Sequence, residues 1–266
     1  MSLPERVTRA HQLVQWATLA AVSLKLAAFL DMVRVYVDTP LEHDFFPAPF
    51  RSTSVLCVAY VLACAGLLIA ATTKADRARI AAGWVVLASI SILCIHQGSH
   101  NDMTFATAWW SSLWSVWLAH CIPKDAPEPL ITRAAFLSRC IASMILLGGA
   151  LGKWTHDYWS GQVLYEIYFV ERDFWLFNLL RSSLDAESLR DVATWYSRKI
   201  IVIETLCGFL LWLLPARLAA GLAILVFTSI ALFSNFYLFS VLLSLIGLAA
   251  CGLFVPESRS NQTSQE

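Results

Sequence analysis

Charged residues are scarce in this sequence. Of its 266 residues only 14% are charged, whereas 58% are hydrophobic and the mean hydropathy is +0.62. A water-soluble fold of this length needs far fewer apolar side chains to fill its core. The composition therefore excludes an ordinary soluble protein and predicts that much of the apolar surface faces a lipid bilayer.

Net charge and clustered cysteines are lacking as well. The 19 basic and 19 acidic side chains cancel, so no overall field attracts nucleic acid. The cysteines form no C-x-x-C pair and no close cysteine and histidine cluster with the spacing of a zinc or redox site. We interpret them as small buried hydrophobic residues: Cys57, Cys64, Cys94, Cys121, Cys140, Cys207 and Cys251.

Long apolar runs recur along the chain. A helix needs roughly 17 to 25 apolar residues to cross a bilayer, and about eight segments meet this requirement. The predicted fold is an all-α, polytopic transmembrane bundle that forms a single domain over residues 1–256, followed by a short polar cytoplasmic tail, 257–266. The predicted spans are 13–34, 53–73, 80–96, 104–122, 134–152, 199–214, 218–233 and 236–255.

The short loops predict the orientation, because Lys and Arg concentrate in cytoplasmic loops. With both termini cytoplasmic, the opposite short loops hold only Arg34 and Arg51. The cytoplasmic side then holds Arg6, Arg9, Lys74, Arg77, Arg79, Lys124, Arg133, Arg217 and Arg259.

The segment 153–198 between the fifth and sixth spans then lies outside. Its apolar stretch 174–180 is too short to span, so we expect it to be interfacial or re-entrant. Asp185 is a good helix N-cap and predicts a polar helix that continues into the sixth span. Gly148 and Gly152, at GxxxG spacing, predict close approach of a neighbouring helix to the fifth span.

A series of motifs follows in this region. Its order is G-x-x-G-K ending at Lys153, then Asp157-Tyr158-Trp159-Ser160-Gly161, an apolar stretch, a polar helix and an acid within a span, Glu204. This order resembles the HTTM domain, the membrane domain of vitamin K-dependent gamma-carboxylase and its bacterial relatives in the DoxX-like group. The resemblance extends to the proline-bearing segment 45–49 and to the segment 99–102.

The resemblance implies a bacterial inner membrane protein with a quinone or quinol cofactor, in which Lys153 is a catalytic general base. It also implies that His100 and Asp102 lie near this lysine, although Asp102 stands where the carboxylase has a histidine. The seventh span reads Phe-Thr-Ser at 227–229, where the family often has a histidine. We therefore expect a shared scaffold without predicting the carboxylase reaction.

The buried charges also have simpler interpretations. Lys153 beside Trp154 is typical of an interface anchor as well as of a general base. An acid inside a span costs a few kcal/mol unless it has a partner, so Glu204 is expected to face the bundle interior, in a site or in a structural hydrogen bond. Lys25 must turn inward for the same reason. His96, His100 and Asp102 lack a further ligand at metal-binding spacing, so we predict no metal site.

Two classes of function remain open. One is a membrane enzyme or a redox protein that binds a quinone or lipid cofactor in an outward-facing polar pocket. The other is a non-catalytic protein that binds lipid or protein partners, or conducts a small solute. The candidate catalytic residues are Lys153, His100, Asp102 and Glu204, and the candidate cofactor-binding residues are His156, Asp157 and Trp159.

Overall fold

A computed structural model describes residues 1–38, 52–98, 105–233 and 240–256, except for the side chains of 31–38 and 96–98. Every regular element within these ranges is helical, as the composition predicts. The longer helices are α1 Leu3–Asp38, α2 Thr53–Thr72, α3 Asp76–Gly98, α4 Phe105–Cys121, α5 Pro127–Lys153, α9 Ala186–Leu213 and α10 Ala216–Phe233. The shorter ones are α6 His156–Trp159, α7 Gln162–Leu164, a π-helical turn Tyr165–Val170, α8 Trp175–Ser183, α11 Leu242–Ala250 and a 3₁₀ turn Cys251–Phe254.

Five of these helices are long and apolar enough to cross a membrane, which indicates an integral membrane protein. They are Leu3–Leu30, Thr53–Thr72, Asp76–Ile95, Pro127–Lys153 and Ala216–Phe233. The described parts of the other three predicted spans are largely helical but do not meet these requirements of length and composition. Helix α4 has 17 residues, the last 18 residues of α9 include Arg198, Lys199 and Glu204, and the last apolar helix covers Leu242–Phe254. A total of eight spans stays a prediction.

Local sequence sets the helix ends. The Ser52 hydroxyl accepts a hydrogen bond from the Val55 N–H at 3.3 Å and caps α2. Pro127 is the first residue of α5. The backbone N–H at this position has no acceptor within a helix, so the N–H that proline lacks is not needed there. Pro215 ends α9, because the residue before a proline is driven to an extended conformation, and Leu214 has ψ 148°.

The chain divides into two compact units, 1–141 with 215–266 and 142–214. In the first unit α1 packs on α2, α4 and α11, and α10 packs on α11. The core includes Tyr60, whose ring centroid lies 5.2 Å from that of Phe29 and 5.9 Å from that of Phe105. A Cβ added at Gly247 would lie 2.5 Å from Ala17 Cβ, so the absent side chain lets α11 approach α1 closely.

The two ends of the first unit meet. Arg6 Nη1 donates to the Phe254 carbonyl at 3.4 Å, and Arg217 Nε donates to the Val255 carbonyl at 3.2 Å. Basic side chains at this position satisfy carbonyls that the end of a helix leaves unpaired. The start of α1 and the end of the last helix therefore lie at the same end of the unit. The side of the membrane on which the two termini lie stays a prediction.

The second unit joins the end of α5 to α9 through the short helices. Asp185 caps α9 by accepting from the Ser188 N–H at 2.7 Å, and α9 runs without a break from this cap to Leu213, as predicted. Helix α8 buries Phe177 against Phe169 of the π-helical turn, with 5.0 Å between ring centroids. This helix begins at Trp175 and contains all but the first residue of the predicted interfacial or re-entrant stretch 174–180, whose place in the membrane stays a prediction.

Candidate functional site

An ion pair joins α5 and α9 in the second unit. Lys153 Nζ lies 2.7 Å from Glu204 Oε1 and 2.6 Å from Oε2, so the ammonium donates to both carboxylate oxygens. The Glu204 side chain is 6% exposed and that of Lys153 is 27% exposed. The prediction that Glu204 turns inward and finds a polar partner is confirmed, and the partner is the lysine singled out in the sequence.

Close packing between the two helices positions this pair. A Cβ added at Gly208 would lie 2.7 Å from the Leu147 side chain, so α9 needs a glycine there. The Ser143 hydroxyl donates to the Gly208 carbonyl at 2.9 Å and accepts from Trp212 Nε1 at 2.8 Å. One turn before Lys153, a Cβ added at Gly149 would lie 3.8 Å from Glu204 Oε2 and 3.9 Å from Lys153 Nζ, so this position faces the ion pair at ordinary van der Waals distance.

Among the described residues, no helix packs closely on the GxxxG pair. No heavy atom of the described residues lies within 4 Å of a Cβ added at Gly148 or Gly152. The close approach is at Gly208, and Gly149 rather than Gly148 faces α9. A shift of one residue turns a helix by about 100°, so Gly149 and Gly148 point in different directions, and spacing alone does not identify the contacting face.

Two tryptophans form a stack beside the pair. The ring centroids of Trp154 and Trp159 lie 5.2 Å apart with an interplanar angle of 18°. Trp154 Nε1 donates to Thr205 Oγ1 at 3.4 Å, which brings the stack to the helix turn that carries Glu204. The Arg198 guanidinium lies 5.5 Å from the Trp159 ring centroid. Trp159, a candidate cofactor-binding residue, thus stacks on Trp154, the residue that follows Lys153.

Side chains of α9 hold the last turn of α6 in place. The carbonyls of Tyr158, Trp159 and Ser160 accept hydrogen bonds from Ser197 Oγ, Arg198 Nε and Thr194 Oγ1, respectively; the second bond is 3.1 Å and the third 2.7 Å long. The Tyr158 carbonyl also accepts from the Gly161 N–H at 3.0 Å. A helix of four residues leaves most of its carbonyls without a partner inside the helix.

Gly161 ends this helix with a left-handed turn. Its φ is +81°, and an added Cβ would lie 2.5 Å from Thr194 Cα. Glycine is therefore needed both for the backbone conformation and for the contact with the α9 backbone.

Tyr158 belongs to the same site although sequence reasoning gave it no role. Burial raises the pKa of its phenol, with further contributions from Tyr168 and the Glu204 carboxylate. The carboxylate contributes because a negative charge nearby disfavours the phenolate. Thr205 and Arg198 were missed as well. The only signal in the sequence is that Thr205 follows Glu204 on the same helical turn, next to the Trp-rich segment.

The segment between α7 and α9 folds around two arginines. Arg181 donates through Nη1 to the Phe169 carbonyl at 3.0 Å and through Nη2 to the Arg172 carbonyl at 2.9 Å. The Arg172 guanidinium lies 5.1 Å from the Phe174 ring centroid, and burial lowers its pKa. Cation–π contacts of this kind stabilise a compact outer segment next to the site.

The other candidate residues do not join the pair in the described part of the chain. His156 and Asp157 are highly exposed, and His156 Nδ1 lies 3.7 Å from Asp157 Oδ1. His100 and Asp102 lie outside the described residues, so their predicted place opposite Lys153 stays a prediction. The described site therefore consists of a buried ion pair, a stacked tryptophan pair and the Tyr158 phenol.

Comparison of the chain with models of protein families, with curated proteins and with solved structures finds no match. The resemblance to the HTTM domain accordingly stays a prediction, and the function has to be argued from the site.

Proposed function

We propose that this protein binds the polar head group of a quinone-like or lipid-like amphiphile at the Lys153 and Glu204 pair, on a membrane scaffold of the HTTM type. The proposal includes eight spans, cytoplasmic termini, and a site that opens to the outer face of a bacterial inner membrane. Five apolar helices support the bilayer environment on which this proposal depends.

The observation that carries the proposal is the uneven exposure of the ion pair. Glu204 is almost fully covered, whereas Lys153 keeps 27% of its side chain exposed and has a third N–H that the two carboxylate contacts leave over. A ligand with a carbonyl, hydroxyl or phosphate oxygen could accept from this N–H. Glu204 fixes the direction of the ammonium group and compensates its charge.

The tryptophans suit the remainder of such a ligand. Trp154 is 53% exposed and stacks on Trp159, which provides a flat apolar surface beside a polar group. Ligand sites commonly combine an apolar wall with a few fixed polar atoms. A quinone ring or the upper part of an acyl chain matches this combination.

Binding is favoured over general base catalysis by the same geometry. An ammonium group that donates to both oxygens of a carboxylate has three N–H donors and no lone pair to accept a proton. The enzyme alternative requires the Glu204 contact to break before Lys153 acts as a base. In the binding proposal the contact persists.

Purification of the full chain in a mild detergent, followed by solvent extraction and mass spectrometry, tests the proposal. We expect a quinone or a defined phospholipid at near-stoichiometric amounts, and at least about a tenfold loss of it in Lys153→Ala, as for loss of a charged hydrogen bond. Lys199→Ala is the matched control, since Lys199 lies on α9 with its Nζ 5.6 Å from the Trp195 ring centroid, and it should retain the ligand. Equal ligand content in all three proteins contradicts the proposal.

Lys153→Arg separates binding from base catalysis. Arginine keeps the charge and the donors but does not lose its proton. Ligand retention together with full cellular function in this variant supports binding alone. Ligand retention with complete loss of function supports the enzyme alternative.

A further inference from the structure

Helix α9 changes from polar to apolar after Lys199. Beyond this lysine Glu204 is the only charged residue of the helix. Large apolar side chains of this half are at least half exposed: Ile203, Leu206, Phe209 and Leu213. Exposed apolar surface suits the hydrocarbon of a bilayer, and basic residues at its edge suit the level of the lipid head groups. Arg198 and Lys199 lie at this edge.

Arg198 is held in one direction by Trp159. Its Nε donates to the Trp159 carbonyl at 3.1 Å, and the centre of the guanidinium lies 5.5 Å from the Trp159 ring centroid. Among the described residues, no other hydrogen bond and no ion pair engages Arg198. The two terminal amino groups are therefore left over, in the planar arrangement that binds two oxygens of one phosphate.

The stacked tryptophans connect Arg198 with the Lys153 and Glu204 pair. Trp159 stacks on Trp154 at 5.2 Å, and Trp154 Nε1 donates to Thr205 Oγ1 at 3.4 Å. Arg198 and Thr205 are seven residues apart, so they share one face of α9 and lie about 10 Å apart along its axis. The two indoles thus form a wall from Arg198 to the helix turn that carries Glu204.

The two ends of this wall differ in charge. The Lys153 ammonium and the Glu204 carboxylate compensate each other at 2.6 Å, and one N–H of Lys153 is left over. At the other end, no carboxylate of the described chain lies within 4 Å of the Arg198 guanidinium. The wall therefore offers a charge-compensated donor at one end and a net positive charge at the other.

This combination distinguishes between the two ligand classes of the proposed function. A quinone has two carbonyl oxygens and no charge, so it leaves the guanidinium without an acceptor. A phospholipid has an anionic phosphodiester and, beyond its glycerol, ester carbonyls that accept hydrogen bonds. Its acyl chains also find a surface, because the exposed side chains of Val202 and Phe209 lie on the same face of α9 as Arg198.

We propose that the site selects a phospholipid: Arg198 binds the phosphodiester, and Lys153 donates to an ester carbonyl. Trp154 and Trp159 pack against the glycerol and the first part of the acyl chains. This inference rests on the proposed function and narrows its ligand to one class.

Native mass spectrometry of the full chain in detergent tests the proposal, with dioleoylphosphatidylglycerol, dioleoylglycerol and ubiquinone as probes. We expect dioleoylphosphatidylglycerol to bind at least about tenfold more tightly than dioleoylglycerol, which has the same chains but no phosphate, because a charged hydrogen bond is added. Arg198→Gln should remove this preference, although its amide can still donate to the Trp159 carbonyl.

Lys199→Gln is the matched control. Lys199 is the next residue of α9 and has the same charge, and its Nζ lies 5.6 Å from the Trp195 ring centroid, away from the stacked pair. The preference for the phospholipid should persist in this variant. Glycerol 1-phosphate, which has the phosphate without the chains, should not displace the bound lipid.

Several outcomes overturn the proposal. These are no preference in the unaltered chain, an unchanged preference in Arg198→Gln, and an equal loss in Lys199→Gln. Displacement by glycerol 1-phosphate assigns the site to a free phosphate ester instead. If Arg198→Gln does not fold, Arg198→Lys replaces it, since lysine keeps the charge without the paired donors, and an unchanged preference there also contradicts the site.

The same titrations separate this inference from the proposed function. Ubiquinone binding that depends on Lys153 and not on Arg198 overturns the choice of a phospholipid and leaves the proposed function standing. Binding of all three probes that is unchanged in Lys153→Ala overturns both.

Discussion

Lys153 and Glu204 are 51 residues apart in the sequence, yet Lys153 Nζ lies within 2.7 Å of both carboxylate oxygens of Glu204. The two partners do not depend on each other equally. Lys153 is the last residue of α5 and reaches solvent, whereas Glu204 lies within α9 and is covered. Removal of the Lys153 side chain therefore leaves a covered carboxylate, whereas removal of the Glu204 side chain leaves an ammonium group that reaches solvent.

We expect Lys153→Ala to destabilise the protein more than Glu204→Ala. The first variant leaves a covered carboxylate without its cation and should cost about 3 kcal/mol. The second leaves a lysine that can extend to water and should cost about 1 kcal/mol. Denaturation of both variants in detergent measures the difference, and the exchanged pair Lys153→Glu with Glu204→Lys should recover part of the loss. Equal losses in the two single variants contradict this account of burial.

Gly161→Ala should destabilise the second unit by about 2 kcal/mol or more, because its φ of +81° and its contact with the Thr194 backbone both exclude a side chain. Gly152→Ala is the control within the same unit. It meets open space among the described residues, and alanine favours the helix by up to about 1 kcal/mol. Thermal unfolding should show opposite shifts for the two variants, and a shift in the same direction argues against the turn.

Gly208→Ala tests the contact between α9 and α5. Its added Cβ would overlap Leu147 Cγ and Cδ2 at 2.7 Å, and overpacking of this kind costs about 1 to 3 kcal/mol. Gly148→Ala, on the face that the GxxxG spacing favoured, should cost nothing. Loss of stability in Gly148→Ala with none in Gly208→Ala reverses the assignment of the packed face. Urea denaturation of the two variants decides between these outcomes.

Asp185 predicts a pH dependence at the start of α9. The Ser188 N–H holds the pKa of the Asp185 carboxyl below its usual value. Since the folded pKa is the lower one, the stabilisation is present above the unfolded value of about 3.9 and is lost as the pH falls through the folded pKa. Hydrogen exchange in the first turn of α9, corrected for intrinsic rates, should show reduced protection in acid.

Asp185→Asn provides the control for this prediction. Asparagine also caps helices but does not ionise in this range, so the protection should persist with no pH dependence from this residue. A pH dependence in Asp185→Asn equal to that of the unaltered chain shows that another group is responsible.

Reporter fusions test the predicted orientation. With nine basic residues on the cytoplasmic side and two on the other, fusions after Lys74 and after Ala186 should report opposite sides of the membrane. Lys74 should be cytoplasmic and Ala186 outside. Identical reports from both positions contradict the orientation and, with it, the outer location of the Lys153 site.

Some of this arrangement was accessible from the sequence because its causes are local or depend on the solvent alone. Apolar length predicted the helices α2 and α10 almost to the residue, and Asp185 marked the start of α9. The cost of a charge in lipid predicted that Glu204 and Lys25 turn inward, whichever partner they find, and both are buried. These inferences need no knowledge of which helices are neighbours.

Tertiary structure alone decided which groups meet. Which lysine pairs with Glu204, and which glycine contacts a neighbouring helix, depend on the rotation of each helix about its axis and on its neighbours. A rotation of about 100° per residue carries a side chain from an interface to lipid, and apolar spacing in a membrane helix barely constrains it, since lipid and protein interior are similarly apolar. The sequence therefore determined that buried charges need partners, and packing between distant segments chose the partners.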